Sequence, residues 1–150
     1  MAVQVKICGI RREEDVTYLN EFLPDYAGFV FAESRRQVTA EQAAALIRKL
    51  DSRVKPVGVF VNAPPEEAAK AAARCGLSAV QLHGDEDEAY IRRLRPLLPE
   101  NTAVWKAVRV REAADIARAD STDVDILLLD SYTEKVYGGT GKSFNWSLVA

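Results

Sequence analysis

Val54-Lys-Pro-Val-Gly-Val-Phe-Val61 runs through Asn62-Ala-Pro into Pro65-Glu-Glu-Ala-Ala-Lys-Ala-Ala-Ala-Arg74. The first stretch reads as a buried strand and the second as a helix. Outward from it the same unit repeats in both directions. Val3 to Cys8, Tyr26 to Phe31, Ala79 to His83, Ala103 to Val108 and Val124 to Asp130 read as strands. Arg11 to Phe22, Ala40 to Leu50, Asp85 to Leu97 and Glu112 to Ala119 read as the helices between them. Successive strands begin roughly twenty to thirty residues apart, the length of one strand, one helix and two short loops, and strict βαβα alternation predicts a parallel sheet. Near-continuous apolar strands such as Val57 to Val61 and Ile126 to Leu129 imply burial on both faces, as in a barrel or a doubly wound sheet. The pattern alone does not separate these two architectures.

The chain has 150 residues, 48% hydrophobic and 28% charged, which fits one globular domain over residues 1–150. Twenty basic against 22 acidic residues give a net charge of −2, so no global cationic field draws the chain to nucleic acid or to an acidic membrane. The longest apolar runs fall far below the roughly 20 residues that span a bilayer, and the first residues lack a signal-peptide layout. Cys8 and Cys75 are too few for a multi-bridge framework and read as free thiols, which points to the cytoplasm. A complete (β/α)8 barrel takes about 250 residues and seldom fewer than about 200. This chain is short for eight units.

In both α/β architectures function collects at the carboxyl ends of the strands. Those positions hold Cys8, Glu33 to Arg36, Asn62, His83, Arg109 and Asp130. Strand side chains alternate, so Cys8 shares a face with Lys6, His83 with Gln81 and Asp130 with Leu128. If that face is the inside of a barrel, Cys8, His83 and Asp130 converge on one mouth. Each has a plainer reading. A strand-end Cys is commonly a small buried hydrophobe, a single His a hydrogen-bonded structural residue, and an Asp after a strand a cap or turn residue. Their coincidence at equivalent strand ends favours a shared site.

Other signals are weaker. Gly138-Gly-Thr-Gly-Lys-Ser143 is not a P-loop, because Val136 stands where the first glycine must be. It remains a glycine-rich loop, Ser131 to Phe144, long enough to close over a ligand. No dinucleotide fingerprint follows a strand, and one histidine with two distant cysteines gives no metal-ligand spacing. The acidic stretch Gly84 to Glu88 resembles a cation site but reads rather as a helix start, with carboxylates favoured by the N-terminal dipole.

Seven short motifs are nevertheless familiar in combination: Lys6-Ile-Cys-Gly9, Gly28-Phe-Val-Phe31 with Ser34-Arg-Arg36, Val57-Gly-Val-Phe-Val-Asn62, Val80-Gln-Leu-His-Gly84, Trp105-Lys-Ala-Val108, Leu128-Leu-Asp130 and Gly138-Gly-Thr-Gly-Lys142. Their order and spacing resemble the phosphoribosylanthranilate isomerases along the whole chain. The resemblance implies a (β/α)8 barrel of which about six βα units are present, and an enzyme of tryptophan biosynthesis. It implies an Amadori rearrangement of N-(5-phosphoribosyl)anthranilate to 1-(2-carboxyphenylamino)-1-deoxyribulose 5-phosphate, with no redox cofactor or metal. The family acid matches Asp130 and the family base Cys8. Arg36 matches the arginine that grips the anthranilate carboxylate, and Arg35 is the weaker candidate. Gln81 and His83 match pocket-lining residues, and Gly138 and Gly139 are taken as substrate-binding.

An acid at Asp130 must hold its proton, which desolvation behind Leu127 to Leu129 would favour. A base at Cys8 must be a thiolate when it acts, and Lys6 on the same face is a candidate source of positive charge. Lys106 reads as an interior barrel residue with a structural or a substrate role. The loop Phe31-Ala-Glu-Ser-Arg-Arg36 is one residue shorter than the family pattern and lacks its proline. Phe144-Asn-Trp146 replaces the usual Phe-Asp-Trp, and Asn145 can still cap a helix.

Set against the family pattern, Trp146 to Ala150 falls at the start of the sixth helix, and strands seven and eight, whose loops hold the substrate phosphate, are not represented. The expectation is a truncated, proteolysed or partly sequenced chain, or one piece of a barrel completed by a C-terminal segment. Two other readings stay open: an inactive or complementation-dependent fragment, and a different sugar-phosphate enzyme on the same barrel.

Overall fold

A computed structural model describes residues 2–132, 137 and 140–149. Six strands, β1 (Lys6–Cys8), β2 (Tyr26–Val30), β3 (Lys55–Phe60), β4 (Ala79–Leu82), β5 (Ala103–Val110) and β6 (Ile126–Ser131), form one sheet in chain order. Every neighbouring pair is parallel. Between them lie α1 (Glu13–Phe22), α2 (Ala40–Ile47), α3 (Pro65–Cys75), α4 (Glu88–Leu94) and α5 (Ala113–Asp120). Side-chain bonds join strands that are not neighbours, from Lys6 of β1 to Gln81 of β4 and from His83, directly after β4, past β5 to Asp130 of β6. A flat sheet separates next-but-one strands by about 10 Å, so the sheet is curled into an arc.

The helix ends follow local chemistry. Thr39 and Gln42 exchange side-chain and backbone bonds of 3.2 and 2.9 Å in a capping box that starts α2. Gly76, at φ 63°, ends α3 in the left-handed conformation that glycine adopts without cost. α4 is shorter than the helical pattern suggests: Asp87 caps it by accepting from the Tyr90 amide at 2.8 Å, and Pro96 turns its far end into a 3-10 turn over Arg95–Leu97. β1 is also shorter than its apolar run, with Val3 87% exposed. A β-branched residue forms strand only where a neighbouring chain accepts its ladder bonds. Asn145 caps the 3-10 turn Trp146–Val149 through the Ser147 amide, at 3.1 Å.

The pleat sorts the core into two layers. Phe29, Val80, Leu82 and Val104 point outward against the helices, with Ala43, Ala68, Ala72, Ile91 and Leu94. Val57, Ala79 and Trp105 point into the arc with Tyr26, Ala103, Ile126 and Leu128. Tyr26 meets Trp105 edge to face, ring centroids 4.8 Å apart, and the two form the floor on which the strand ends stand.

Lys106 belongs to the outer layer, which corrects its reading as an interior residue. Trp105 faces inward, so the next residue must face out. Its ammonium donates to the Gly84 carbonyl at 2.7 Å and pairs with Glu86 at 3.2 Å. Burial holds the Lys106 ammonium below its ordinary range, and the Glu86 carboxylate partly offsets this. Glu86 also accepts from the Asn62 and Gly84 amides, at 2.7 and 2.9 Å. The acidic stretch is therefore more than a helix start. Asp87 and Glu88 serve α4, whereas the Glu86 side chain, only 1% exposed, ties the loops after β3 and β4 to β5. Removing one partner of a buried pair strands the other charge, at a cost of about 3–5 kcal/mol. Glu86→Gln is expected to lower unfolding free energy by roughly that amount in urea titration, and a loss below about 1 kcal/mol would show that the tie is marginal.

Candidate functional site

The inner face at the carboxyl ends of the strands opens as a cavity of about 830 Å³ whose walls include Lys6, Cys8, Arg36, Gln81, His83 and Tyr137. Four of the residues expected from the sequence meet there, and Asp130 joins through His83. Gly138 and Gly139 lie outside the described residues.

Cys8 ends β1 opposite Gly28 of β2. A Cβ at Gly28 would sit 2.6 Å from Cys8 Sγ, so only glycine leaves room for the thiol on this face. Gly9 follows with φ 92° and passes beneath the Arg36 side chain, whose Cδ would be 2.7 Å from a Cβ there. Arg36 Nη1 donates to the Cys8 carbonyl at 2.8 Å. This bond holds the guanidinium at the end of β1, where it lines the same cavity as Cys8, and the planar fork suits a carboxylate. Arg35 is exposed, and its carbonyl accepts from Arg11. Lys6 donates to Gln81 Oε1 and lies over the Trp105 ring, 5.8 Å from its centroid. Burial pushes the Lys6 ammonium down, and the nearby Cys8 partly restores it.

His83 connects the two sides of the arc. Its Nδ1 lies 3.0 Å from Gln81 Nε2 and its Nε2 3.1 Å from Asp130 Oδ2. Burial moves the His83 pKa down, against the pull of Asp130, so the ring is neutral at neutral pH. Asp130 Oδ1 accepts from the Ser131 amide at 2.8 Å.

Asn62 and Arg109, polar strand-end residues like the others, have a different use. Asn62 takes a left-handed φ of 51°, and its Oδ1 accepts from the Asp85 amide at 2.8 Å. Arg109 pairs with Asp85 and stacks on Tyr137, 4.7 Å from the ring centroid. Tyr137 donates to Asp85 Oδ2 at 2.7 Å, so this ring of the glycine-rich loop is fixed over the cavity. The partners are 52 residues apart, and no spacing in the sequence announces the contact. Among the described residues no group of three or more His, Cys, Asp or Glu is placed to hold a metal ion, and no helix is long and apolar enough to cross a membrane.

An arc of parallel strands, helices outside and polar side chains gathered at the carboxyl ends, defines an α/β protein of the barrel class. The family model for N-(5'-phosphoribosyl)anthranilate isomerase matches residues 5–150, and the chain belongs to that family. It is 48% identical over 147 residues to the N-(5'-phosphoribosyl)anthranilate isomerase of Thermoanaerobacter sp. strain X514, covering 98% of this chain and 70% of the relative. The crystal structure of phosphoribosyl anthranilate isomerase from Thermotoga maritima superposes with a TM-score of 0.84 at 40% identity, covering 99% of this chain and 70% of that one. A second solved structure of this isomerase, in complex with reduced 1-(o-carboxyphenylamino)-1-deoxyribulose 5-phosphate, superposes at 0.77 with 38% identity, over 87% of this chain and 66% of that one. The chain thus spans about 70% of the length of these curated relatives.

Because Gly28 makes the space that the Cys8 thiol occupies, Gly28→Ala is expected to slow alkylation of Cys8 by a small haloacetamide several-fold, read by mass spectrometry. Buried Cys75 serves as the internal reference. An unchanged rate at Cys8 would place the thiol elsewhere.

Proposed function

We propose that this chain isomerises N-(5-phosphoribosyl)anthranilate to 1-(2-carboxyphenylamino)-1-deoxyribulose 5-phosphate, a step of tryptophan biosynthesis, with Asp130 as general acid and Cys8 as general base. The observation that carries the reading is the convergence of Cys8, Arg36 and the His83–Asp130 pair on one inner face, in a chain that the family model matches over residues 5–150.

The reaction needs two proton transfers of opposite sense. Asp130 gives a proton to the ribose ring oxygen; the C1–O bond breaks and the amine lone pair forms the iminium. The Cys8 thiolate then removes the C2 proton, and its electron pair flows into the iminium to give an enolamine. Reprotonation at C1 with loss of the enol proton yields the aminoketone, so atoms and charge balance. An acid and a base on the same face suit this order of events. Lys6 stands two residues before Cys8 on the same face and brings a positive charge near it. Arg36 holds the anthranilate carboxylate, Gln81 and His83 line the ribose and anthranilate pocket, and Gly138 and Gly139 are taken as substrate-binding. No step calls for a metal or a redox cofactor.

The chain acts on this small molecule as one domain in the cytoplasm, a reading supported by two free thiols and a net charge of −2. The outer strands β1 and β6 are each paired on one side among the described residues, and Ile7 of β1 with Val5 and Phe22 beside it are 47%, 47% and 75% exposed. This apolar margin supports a second element of the reading: full turnover requires a C-terminal segment equivalent to the remainder of the relatives' length, which covers β1 and holds the phosphate.

Loss of substrate fluorescence reads turnover directly. Cys8→Ser and Asp130→Asn are each expected to lower kcat by about 10²–10⁴-fold, with unfolding midpoints little changed. Arg36→Lys is expected to raise KM about tenfold or more, because a point charge replaces a bidentate grip. Full turnover in Cys8→Ser or Asp130→Asn would remove the acid–base assignment, and wild-type turnover by the 150-residue chain alone would remove the required segment.

A further inference from the structure

Four polar side chains from opposite sides of the arc form one hydrogen-bond series that runs in a single direction. It begins at Lys6, whose ammonium has hydrogens to give and no lone pair. Lys6 donates to Gln81 Oε1, and that contact fixes the amide, since a flipped amide would set two donors face to face. Gln81 Nε2 is then turned to His83 Nδ1, 3.0 Å away. An amide nitrogen only donates, so Nδ1 must accept and the proton of the neutral ring resides on Nε2. Nε2–H in turn donates to Asp130 Oδ2 across 3.1 Å, while the Ser131 amide occupies Oδ1.

Each carboxyl oxygen retains a second lone pair. Asp130 can therefore carry its proton toward the cavity while it accepts both bonds. Once the proton has gone to the ring oxygen, the same two donors face an anion, and hydrogen bonds to a charged acceptor are about twice as strong as neutral ones. The series gains strength as the proton leaves, which is the condition for lowering a barrier rather than merely binding substrate.

We propose that Lys6 and Gln81 are positioning residues for the acid: they lock His83 in its Nε2–H tautomer and so keep a donor on Asp130 through the proton transfer. This rests on Asp130 as the acid of the proposed reaction. Lys6 is thereby given a task at the far side of the arc, in addition to its neighbourhood with Cys8. Gln81 orients His83 and touches no reacting atom in this role.

The chain contains one histidine. A long-range nitrogen-15 to proton correlation spectrum of the whole protein therefore reports a single imidazole. In the wild type it is expected to show the Nε2–H pattern. Gln81→Glu places an acceptor opposite Nδ1 in nearly the same volume and is expected to move the proton to Nδ1. Gln81→Leu and Lys6→Met release the constraint and are expected to give a mixture of tautomers. In turnover, Gln81→Glu is expected to lower kcat roughly tenfold with KM changed by less than about threefold. An Nδ1–H ring in the wild type overturns the proposal, as does full kcat in Gln81→Glu once its tautomer has switched. The spectrum needs no turnover, so a chain that leaves the substrate untouched even when supplied with the C-terminal segment of a relative defeats the reaction assignment, while the tautomer result still decides the hydrogen-bond series.

Discussion

Side chains along a strand alternate between its faces, and in this protein that alternation is carried from β1 to β6 through five parallel ladders paired residue for residue. Everything at the site depends on it. Lys6 and Cys8, Gln81 and His83, and Asp130 reach one cavity wall because each lies an even number of residues along its strand from an inward-facing neighbour. A slip of one residue in β1 would exchange Cys8 for Ile7 and empty the site of its thiol. Both faces of the sheet are apolar, so hydrophobicity alone would tolerate such a slip. Polar contacts resist it: the Lys6–Gln81 bond and the Arg36 bond to the Cys8 carbonyl both require the observed register.

Two close approaches complete the arrangement. Gly28 yields its side-chain volume to the Cys8 thiol, and Gly9 yields its own to Arg36. The cost of these glycines is conformational entropy in the unfolded chain, and each sits where a neighbouring functional group takes the space. Glu86 meets a different need at the same end of the sheet. Loops over a cavity cannot bury a large apolar surface, so an ion pair with Lys106 and two backbone amides hold them instead.

The strands and their polar ends were legible in the sequence because apolar runs of this length, each followed by a helix signal, admit few other arrangements. Cys8, His83 and Asp130 stood out for the same reason. Lys106 was misplaced because a motif marks a strand without marking its parity; the inward Trp105 beside it decides the matter only once the floor of the arc is known. The run Gly84 to Glu88 looked like a helix start because its long-range partners, Asn62 and Lys106, are invisible to local pattern. The same holds for Tyr137, whose partner Asp85 lies 52 residues away. Gln81 and His83 are two residues apart and could be paired by eye, whereas Lys6, 75 positions from Gln81, joins them only through the curl of the sheet.

That curl has a mechanical consequence. The thiol stands on β1 and the carboxyl on β6, so their separation is a chord of the arc, and it changes whenever the sheet tightens or flattens. Beneath them lies the edge-to-face contact of Tyr26 with Trp105. The series from Lys6 to Asp130 is a cross-brace along that chord. Sequence changes far from either group, in the residues that set the bend, can then retune the distance between the thiol and the carboxyl, leaving both chemical groups untouched.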